Sequence, residues 1–427
     1  MEIIDKKGEK LMKIALIQPD SPYLSYPLAF PSLGLLYISA FLKKNGYKSD
    51  FYDLTGGIKM PDIKADIFAF SCQITQFKEV AKIKKDLKKT NPHSLFVIGG
   101  PFPTHSPQLC SDFDVVVRGE GETSILEIVK SFPNVKKCYQ PNGFDKIDPN
   151  FFPDWKAIDI NRYGYYLEGK RCINIMTKRG NCPYKCGFCA KQEFGKSPLR
   201  FRTVENVLSE ALFLKENYNI KSIAIYDDDV LLNKKRDEEI FKGFKKLGMP
   251  YRCMTRTNLA NEKDLEMLKH TGCAEVAIGV ETADPLIKKI IKKNTTVEQD
   301  TEFVNLCKKI GLRVKTYFII GLPGESCESV EKSRKWLEKN QPDNFDFSIF
   351  APYPGSPIYN HKEEYDINWD EKKLREIWFS GEAQYGDCAV STSHLDSNEI
   401  LKLKGKIQKS LRRGIGGVTS YWGPKPD

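Results

Sequence analysis

Three cysteines within a single short run, Asn181-Cys182-Pro183-Tyr184-Lys185-Cys186-Gly187-Phe188-Cys189, are the residues whose types and spacing most directly imply chemistry. Spaced four and three apart, their thiolates can converge on one centre from one loop. A zinc ion ordinarily needs a fourth protein ligand, here Cys172 or a residue distant in the chain, and such a zinc knuckle is one reading. An iron-sulfur cube held by three cysteines is the other, and it leaves one iron open. An open iron can take the amino and carboxylate groups of a cosubstrate and pass it an electron. The remaining cysteines do not suggest a disulfide framework. The segment Met1 to Met12 lacks the continuous apolar stretch of a secretion signal, so a cytoplasmic location is expected, where thiols stay reduced.

The elements that must position this loop follow from hydrophobic patterning. Ile14–Ile17, Asp66–Ser71, Leu95–Ile98 and Val115–Val117 read as buried strands, alternating with helices near 33–45, 80–89 and 124–131. This alternation predicts an α/β fold with a parallel, flavodoxin-like (Rossmann-like) sheet whose ligands lie beyond the strand carboxyl ends. Ser71, Gly99-Gly100-Pro101 and Gly119-Glu120-Gly121-Glu122 stand at those ends. Residues 136–170, with Pro141, Asn142-Gly143, Pro149 and Pro153, read as a connection between domains. A second series follows, with strands at 173–176, 222–226, 251–254, 275–278, 314–320 and 345–349 and helices between them. Six such units predict a partial (β/α)6 barrel with its site at the strand C-terminal ends. The domains are therefore expected at 1–135, 171–360 and a C-terminal segment 361–427, where Trp369, Trp378, Tyr385 and Trp422 are aromatic candidates for substrate contact.

The cysteine run, as C-x-x-x-C-x-aromatic-C with Phe188 as the aromatic, resembles the signature of the radical S-adenosylmethionine (SAM) superfamily. The similarity continues in Tyr226-Asp227-Asp228-Asp229 with Asn233 and Arg236, in Arg256, in Gly279-Val280-Glu281-Thr282, in Gly321-Leu322-Pro323-Gly324-Glu325, and in the turn Pro352-Tyr353-Pro354-Gly355-Ser356-Pro357. Val230 replaces an aromatic usual after the aspartates. The resemblance implies that Cys182, Cys186 and Cys189 ligate a 4Fe-4S cluster and that the backbone near Phe188 meets adenine. It further implies that Asp228, Arg256 and Glu281 hold polar parts of SAM, with Gly321 at the same mouth. The front domain resembles the cobalamin-binding domain fused to many such enzymes, through Pro31-Ser32-Leu33-Gly34-Leu35-Leu36-Tyr37, Ser71, Gly99-Gly100-Pro101 and Arg118-Gly119-Glu120-Gly121-Glu122. Gly34, Leu35, Ser71, Gly99, Gly100, Glu120 and Gly121 are the cobalamin-contact candidates. The domain lacks D-x-H-x-x-G and carries Phe102 after Gly-Gly-Pro, with His105 as the nearby histidine.

Together these imply a methyltransferase acting on an unactivated carbon or phosphorus centre. One SAM would methylate cobalamin and a second would yield the 5'-deoxyadenosyl radical that activates the substrate, the cofactors carrying the difficult steps. The alternative keeps both cofactors but catalyses cyclisation or rearrangement. Expected partners are a small-molecule or biosynthetic-intermediate substrate and a reducing protein such as flavodoxin or ferredoxin. A transfer-RNA methylthiotransferase would need a second cluster, for which Cys72, Cys110 and Cys138 lie in dissimilar local contexts. A metal-stabilised nucleic-acid module would need a basic stripe interleaved with aromatics. The net charge of +10 is instead spread over segments such as Lys82-Ile83-Lys84-Lys85 and Lys288-Lys289, read as solvated helix faces. No apolar run approaches the roughly 20 residues of a membrane helix.

Overall fold

The computed structural model describes residues 12–21, 24, 26–140, 148, 150–193, 197–380, 386–414 and 422–423. Pro141, Asn142, Gly143, Pro149, Tyr385 and the Trp422 side chain lie outside the described residues. The chain divides into two compact units: residues 1–162 with 194–198, and residues 163–193 with 199–427.

The first unit contains β1 (Ile14–Gln18), α1 (Leu33–Lys44), β2 (Asp50–Asp53), β3 (Ile67–Ser71), α2 (Phe77–Thr90), β4 (Leu95–Gly99), α3 (Pro101–His105), β5 (Val115–Val117), α4 (Glu122–Ser131) and β6 (Cys138–Tyr139). Its sheet runs β2-β1-β3-β4-β5-β6 with every pairing parallel. This is the flavodoxin-like order with one strand added at the edge, and it reverses direction between β1 and β3. β1 is buried at all five positions because helices cover a parallel sheet from both sides. α2 earns its place through Val80, Ile83 and Leu87, three buried residues on one helical face. The short strands β2 and β6 were not evident in the sequence. β6 lies within residues 136–170, the expected connection, and pairs with β5.

The second unit opens with β7 (Tyr165–Leu167), also within the expected connection, and β8 (Lys170–Ile175), which pair antiparallel. The hairpin of β9 (Lys178–Arg179) and β10 (Arg200–Phe201) then encloses the cysteine loop. There follow α5 (Val204–Tyr218), β11 (Ser222–Ile225), α6 (Lys234–Lys246), β12 (Tyr251–Thr255), α7 (Glu262–His270), β13 (Cys273–Glu281), α8 (Pro285–Ile290), α9 (Val297–Ile310), β14 (Val314–Ile320), α10 (Cys327–Asn340) and β15 (Asn344–Ile349). Six strands, β8 and β11 to β15, are parallel and adjacent in chain order. That order, with crossovers of one hand, lines the helices up on one face and makes the partial (β/α)6 barrel. Aromatic stacking marks the helix-facing side: Tyr251 lies on Phe241 at 4.7 Å, and Phe318 meets Trp336 at 5.7 Å. Side-chain caps start the helices where the sequence turns, as with Thr203, Asn261, Thr296 and Ser326.

Beyond β15 come α11 (Pro357–Asn360), β16 (Asn368–Trp369), α12 (Glu371–Ser380), β17 (Val390–Ser391), α13 (Ser397–Gly414) and β18 (Trp422–Gly423). Trp369 and Trp378 both pack on Tyr359, each at 5.7 Å, and Trp378 is fully buried. Packing therefore accounts for Trp378. Lys288 departs from the solvated face expected of its segment: it is buried and pairs with Asp300 at 2.6 Å, because α8 turns it inward toward the Val280 carbonyl.

Candidate functional site

The cysteine loop leaves β9 and is clamped by backbone hydrogen bonds from two directions. Gly187 N–H donates to the Ile291 carbonyl at 2.7 Å, and Ile358 N–H donates to the Gly187 carbonyl at 3.0 Å. A Cβ on Gly187 would stand 3.4 Å from Ile291 O and from the Ile358 side chain, in van der Waals contact with both. The second clamp comes from the Pro352–Pro357 turn, where Ser356 caps α11 and donates its hydroxyl to Tyr353 O. Motifs far apart in sequence thus converge on one loop.

Each cysteine sulfur has a distinct neighbour. Cys182 Sγ lies 3.6 Å from Asp229 Oδ2, Cys186 Sγ accepts from Arg256 Nη1 at 3.4 Å, and Cys189 Sγ accepts from the Lys191 backbone N–H at 3.4 Å. Burial pushes the Cys182 thiol up to about 11, with the Asp228 and Asp229 carboxylates adding to the effect. Burial likewise raises Cys189. A cationic metal reverses such preferences by stabilising thiolate. Among the described residues the three sulfurs do not form a set lying within 4.8 Å of one another. Ligands of one zinc ion, about 2.3 Å from the metal, would be closer together. Three thiols on one loop match a cluster that offers a separate iron to each sulfur.

The three consecutive aspartates divide their work. Asp227 is buried and accepts from Thr177 N–H at 2.9 Å and Thr177 Oγ1 at 2.6 Å, fixing the end of β8. Arg236 donates to the Thr177 carbonyl as well, while Asn233 caps α6. Asp228 is exposed and pairs with Lys191 at 3.2 Å. Asp229 is buried, and burial raises its carboxyl to about 6 against the pull of Arg256, Lys178 and Lys293.

Glu281 ends β13 with a positive φ of 65°, where the pairing with β14 shifts register. A non-glycine residue held in this region is costly and persists only when its surroundings fix it. Here Lys293 Nζ donates to Glu281 Oε1 at 2.7 Å, with both side chains largely buried. Gly279 makes the arrangement possible, since a Cβ there would overlap Glu281 Oε1 and stand 2.8 Å from Lys293 Nζ. Lys293 also lies 5.9 Å from the Phe188 ring centre, and its carbonyl accepts from Arg256 Nη2. Arg256 is buried and stacks 3.9 Å from the Tyr184 ring centre. Lys293, Asp229 and Tyr184 were missed in the sequence. Tyr184 could have been found from its place between two ligand cysteines, whereas Lys293 sits in an ordinary lysine pair.

Gly321 follows β14 with a φ of 89° and donates its N–H to Glu325 Oε2 at 2.7 Å. Its Cα hydrogens face Val390 and Ile400, 3.2 and 3.3 Å from where a Cβ would be, which gives this glycine a packing reason.

In the first unit the candidates fall at two positions. Ser71, Gly99 and Gly100 meet at the carboxyl ends of β3 and β4: Cys72 N–H donates to Gly99 O at 2.8 Å, and Gly100 has a φ of 107°. A Cβ on Gly100 would lie 3.0 Å from both Cys72 N and O, so only glycine fits there. Glu120 is buried and accepts from Ser197 Oγ at 2.9 Å. Gly121 allows α4 to approach α1, its Cβ position being 2.9 Å from Ile38 Cδ1. Gly34 is exposed in the first turn of α1, and Leu35 is buried in the core. His105, ending α3, is held neutral, its imidazole lowered to about 4 by burial and by Arg118.

Residues 178–337 match the Radical SAM superfamily model, and residues 24–129 match the B12 binding domain model. An uncharacterized methyltransferase of Pyrococcus horikoshii is 30% identical, covering 94% of this chain and 93% of its own. The anaerobic magnesium-protoporphyrin IX monomethyl ester cyclase of Rubrivivax gelatinosus is 25% identical over 82% of this chain and 69% of its own. In fold, the chain is similar to the radical S-adenosylmethionine methyltransferase TsrM from Kitasatospora setae, solved with cobalamin and a 4Fe-4S cluster. The TM-score is 0.71 at 16% identity, covering 84% of this chain and 81% of that one. With both domain models matched in order and a relative alike from end to end, the chain belongs to the radical SAM enzymes that carry a B12-binding domain ahead of the radical SAM domain.

Proposed function

We propose that this enzyme is a cobalamin-dependent methyltransferase that places a methyl group on an unactivated carbon or phosphorus centre of a small-molecule substrate. The observation that carries this reading is the pairing, on one chain, of the three-cysteine loop with a B12-binding domain, in a protein alike over nearly its full length to a methyltransferase. When bound, the cluster would supply one electron to SAM and cobalamin would carry the methyl group.

The chain's own residues have narrower tasks. Cys182, Cys186 and Cys189 hold the cluster, and the two backbone clamps on Gly187 fix the loop before it binds. Asp228, exposed at the mouth of the barrel, Glu281, oriented by Lys293, and Arg256 hold the polar parts of SAM, the two carboxylates facing its ammonium and ribose hydroxyls. Phe188 offers its backbone to adenine. In the first unit the edge formed by Ser71, Gly99 and Gly100 lets the corrin approach main chain, and Gly34, Leu35, Glu120 and Gly121 shape the helices beside it. A reducing protein of the flavodoxin or ferredoxin kind supplies the electron.

The likeness to a cyclase supports a second reading, in which the same two cofactors drive ring closure. Anaerobic purification of the full chain with cobalamin supplied, then incubation with SAM and a reductant, separates the two. Methyl transfer yields both 5'-deoxyadenosine and S-adenosylhomocysteine. Deoxyadenosine without S-adenosylhomocysteine would move the assignment to cyclisation or rearrangement.

A further inference from the structure

We infer that Arg256 is a positioning residue for the cluster, donating an N–H···S hydrogen bond to the ligand Cys186 and so raising the potential at which the cluster accepts its electron. This rests on the assignment of Cys186 as a cluster ligand made above. The guanidinium is held at Nη1, at Nη2 and across its face, while Nε is buried without a partner among the described residues. Nη1 points at Cys186 Sγ at 3.4 Å, Nη2 donates to the Lys293 carbonyl, and the plane stacks on Tyr184 at 3.9 Å to the ring centre. Tyr184 lies between the ligands Cys182 and Cys186, so the loop that carries the cysteines also forms the shelf for the arginine. The residue is 6% exposed, which keeps its charge poorly screened.

Reduction adds one negative charge to the cluster, and that charge spreads onto its sulfur ligands. A cation and an N–H donor fixed against one ligand therefore stabilise the reduced form more than the oxidised form, and hydrogen bonds to sulfur are a recognised determinant of cluster potential. Asp229, 3.6 Å from Cys182 Sγ, acts on a different ligand and in the opposite sense. The other two ligands have no side-chain cation at hydrogen-bond range among the described residues: Cys189 receives only the Lys191 backbone N–H. The effect is thus assigned to one sulfur. Lys293 contributes by holding Arg256 with its carbonyl while its ammonium is occupied by Glu281.

The test compares the wild-type chain with Arg256→Met and Arg256→Lys, all reconstituted anaerobically, by iron and sulfide analysis and by potentiometry followed with electron paramagnetic resonance. Arg256→Met should retain the cluster and shift its midpoint potential to more negative values, and Arg256→Lys should restore part of that shift. An assembled cluster whose potential is the same in all three overturns the inference. Should Arg256→Met fail to assemble, pulsed resonance on the reduced wild type grown with isotopically labelled arginine decides instead. Coupling to a guanidinium nitrogen supports the bond, and no such coupling overturns it. A wild-type protein that binds no cluster would instead overturn the proposed function, a result separable from either of these by its iron content.

Discussion

At the scale of single residues, Gly279 bears most directly on the Glu281–Lys293 pair. Its missing side chain is the space into which the Glu281 carboxylate folds and where Lys293 Nζ lies within reach. Gly279→Ala must push one partner of that largely buried pair aside, and overpacking of this kind costs roughly 1–3 kcal/mol. The expected outcome is a lower urea midpoint together with weaker SAM binding by calorimetry, while Gly405→Ala, at a glycine in α13 with open space around its Cβ position, leaves SAM binding unchanged. At this scale the sequence was unevenly legible. The cysteine trio and the Gly-x-Glu motif could be read because spacing alone defines them. Lys293 could not, because its role depends on the chain turning back after α8, and nothing local distinguishes it from the exposed Lys292 beside it. Asp228 is one of three adjacent aspartates, and which of them faces solvent follows from the strand's end rather than from residue type.

At the scale of elements, helix and strand periodicity located almost every unit of both sheets to within a few residues, since parallel strands between covering helices are nearly continuous apolar runs. The short edge strands β2, β6 and β7 escaped because they are too brief and too polar to show a period. Lys288 escaped for a related reason: a lysine on an amphipathic helix ordinarily faces water, and only the packing of α8 against α9 turns it inward to Asp300. Burial pushes both members of this pair toward neutrality, and their mutual attraction and the Thr257 hydroxyl offset it. Lys288→Met should therefore destabilise the fold by about 3–5 kcal/mol by leaving a buried carboxylate alone, and adding Asp300→Asn should recover much of that loss. Glu325 gives a pH prediction at the same scale. Its buried carboxyl, which accepts the N–H groups of Gly321 and Leu322, is raised to about 8 by burial. The folded state therefore holds this proton more tightly than the unfolded state. Its stabilising effect is complete below the ordinary value of 4.5 and is lost as pH rises toward about 8. Unfolding midpoints of the wild type should fall across that window relative to Glu325→Gln, whose curve should lack this component.

At the scale of the whole molecule, the chain contains two separately built cores. The first is centred on residues such as Leu16, Ile67, Val97 and Val117, and the second is built around its own parallel sheet. The cluster loop is fixed by backbone clamps at Gly187 and belongs to the second unit, whereas the cobalamin-contact candidates belong to the first. Loading of the two cofactors should consequently be separable by mutation. Cys182→Ala, Cys186→Ala or Cys189→Ala should remove the iron and all deoxyadenosine formation while leaving bound cobalamin near wild-type content. Gly100→Val should do the reverse, because a side chain at that position meets the Cys72 backbone on both its N and O atoms and must deform the edge where β3 and β4 end. Metal analysis of full-length protein for iron and cobalt, prepared without air, reads both at once. Loss of cobalt in the cysteine variants would mean that corrin binding depends on the cluster loop, and the B12-binding unit would then not be sufficient for its own ligand.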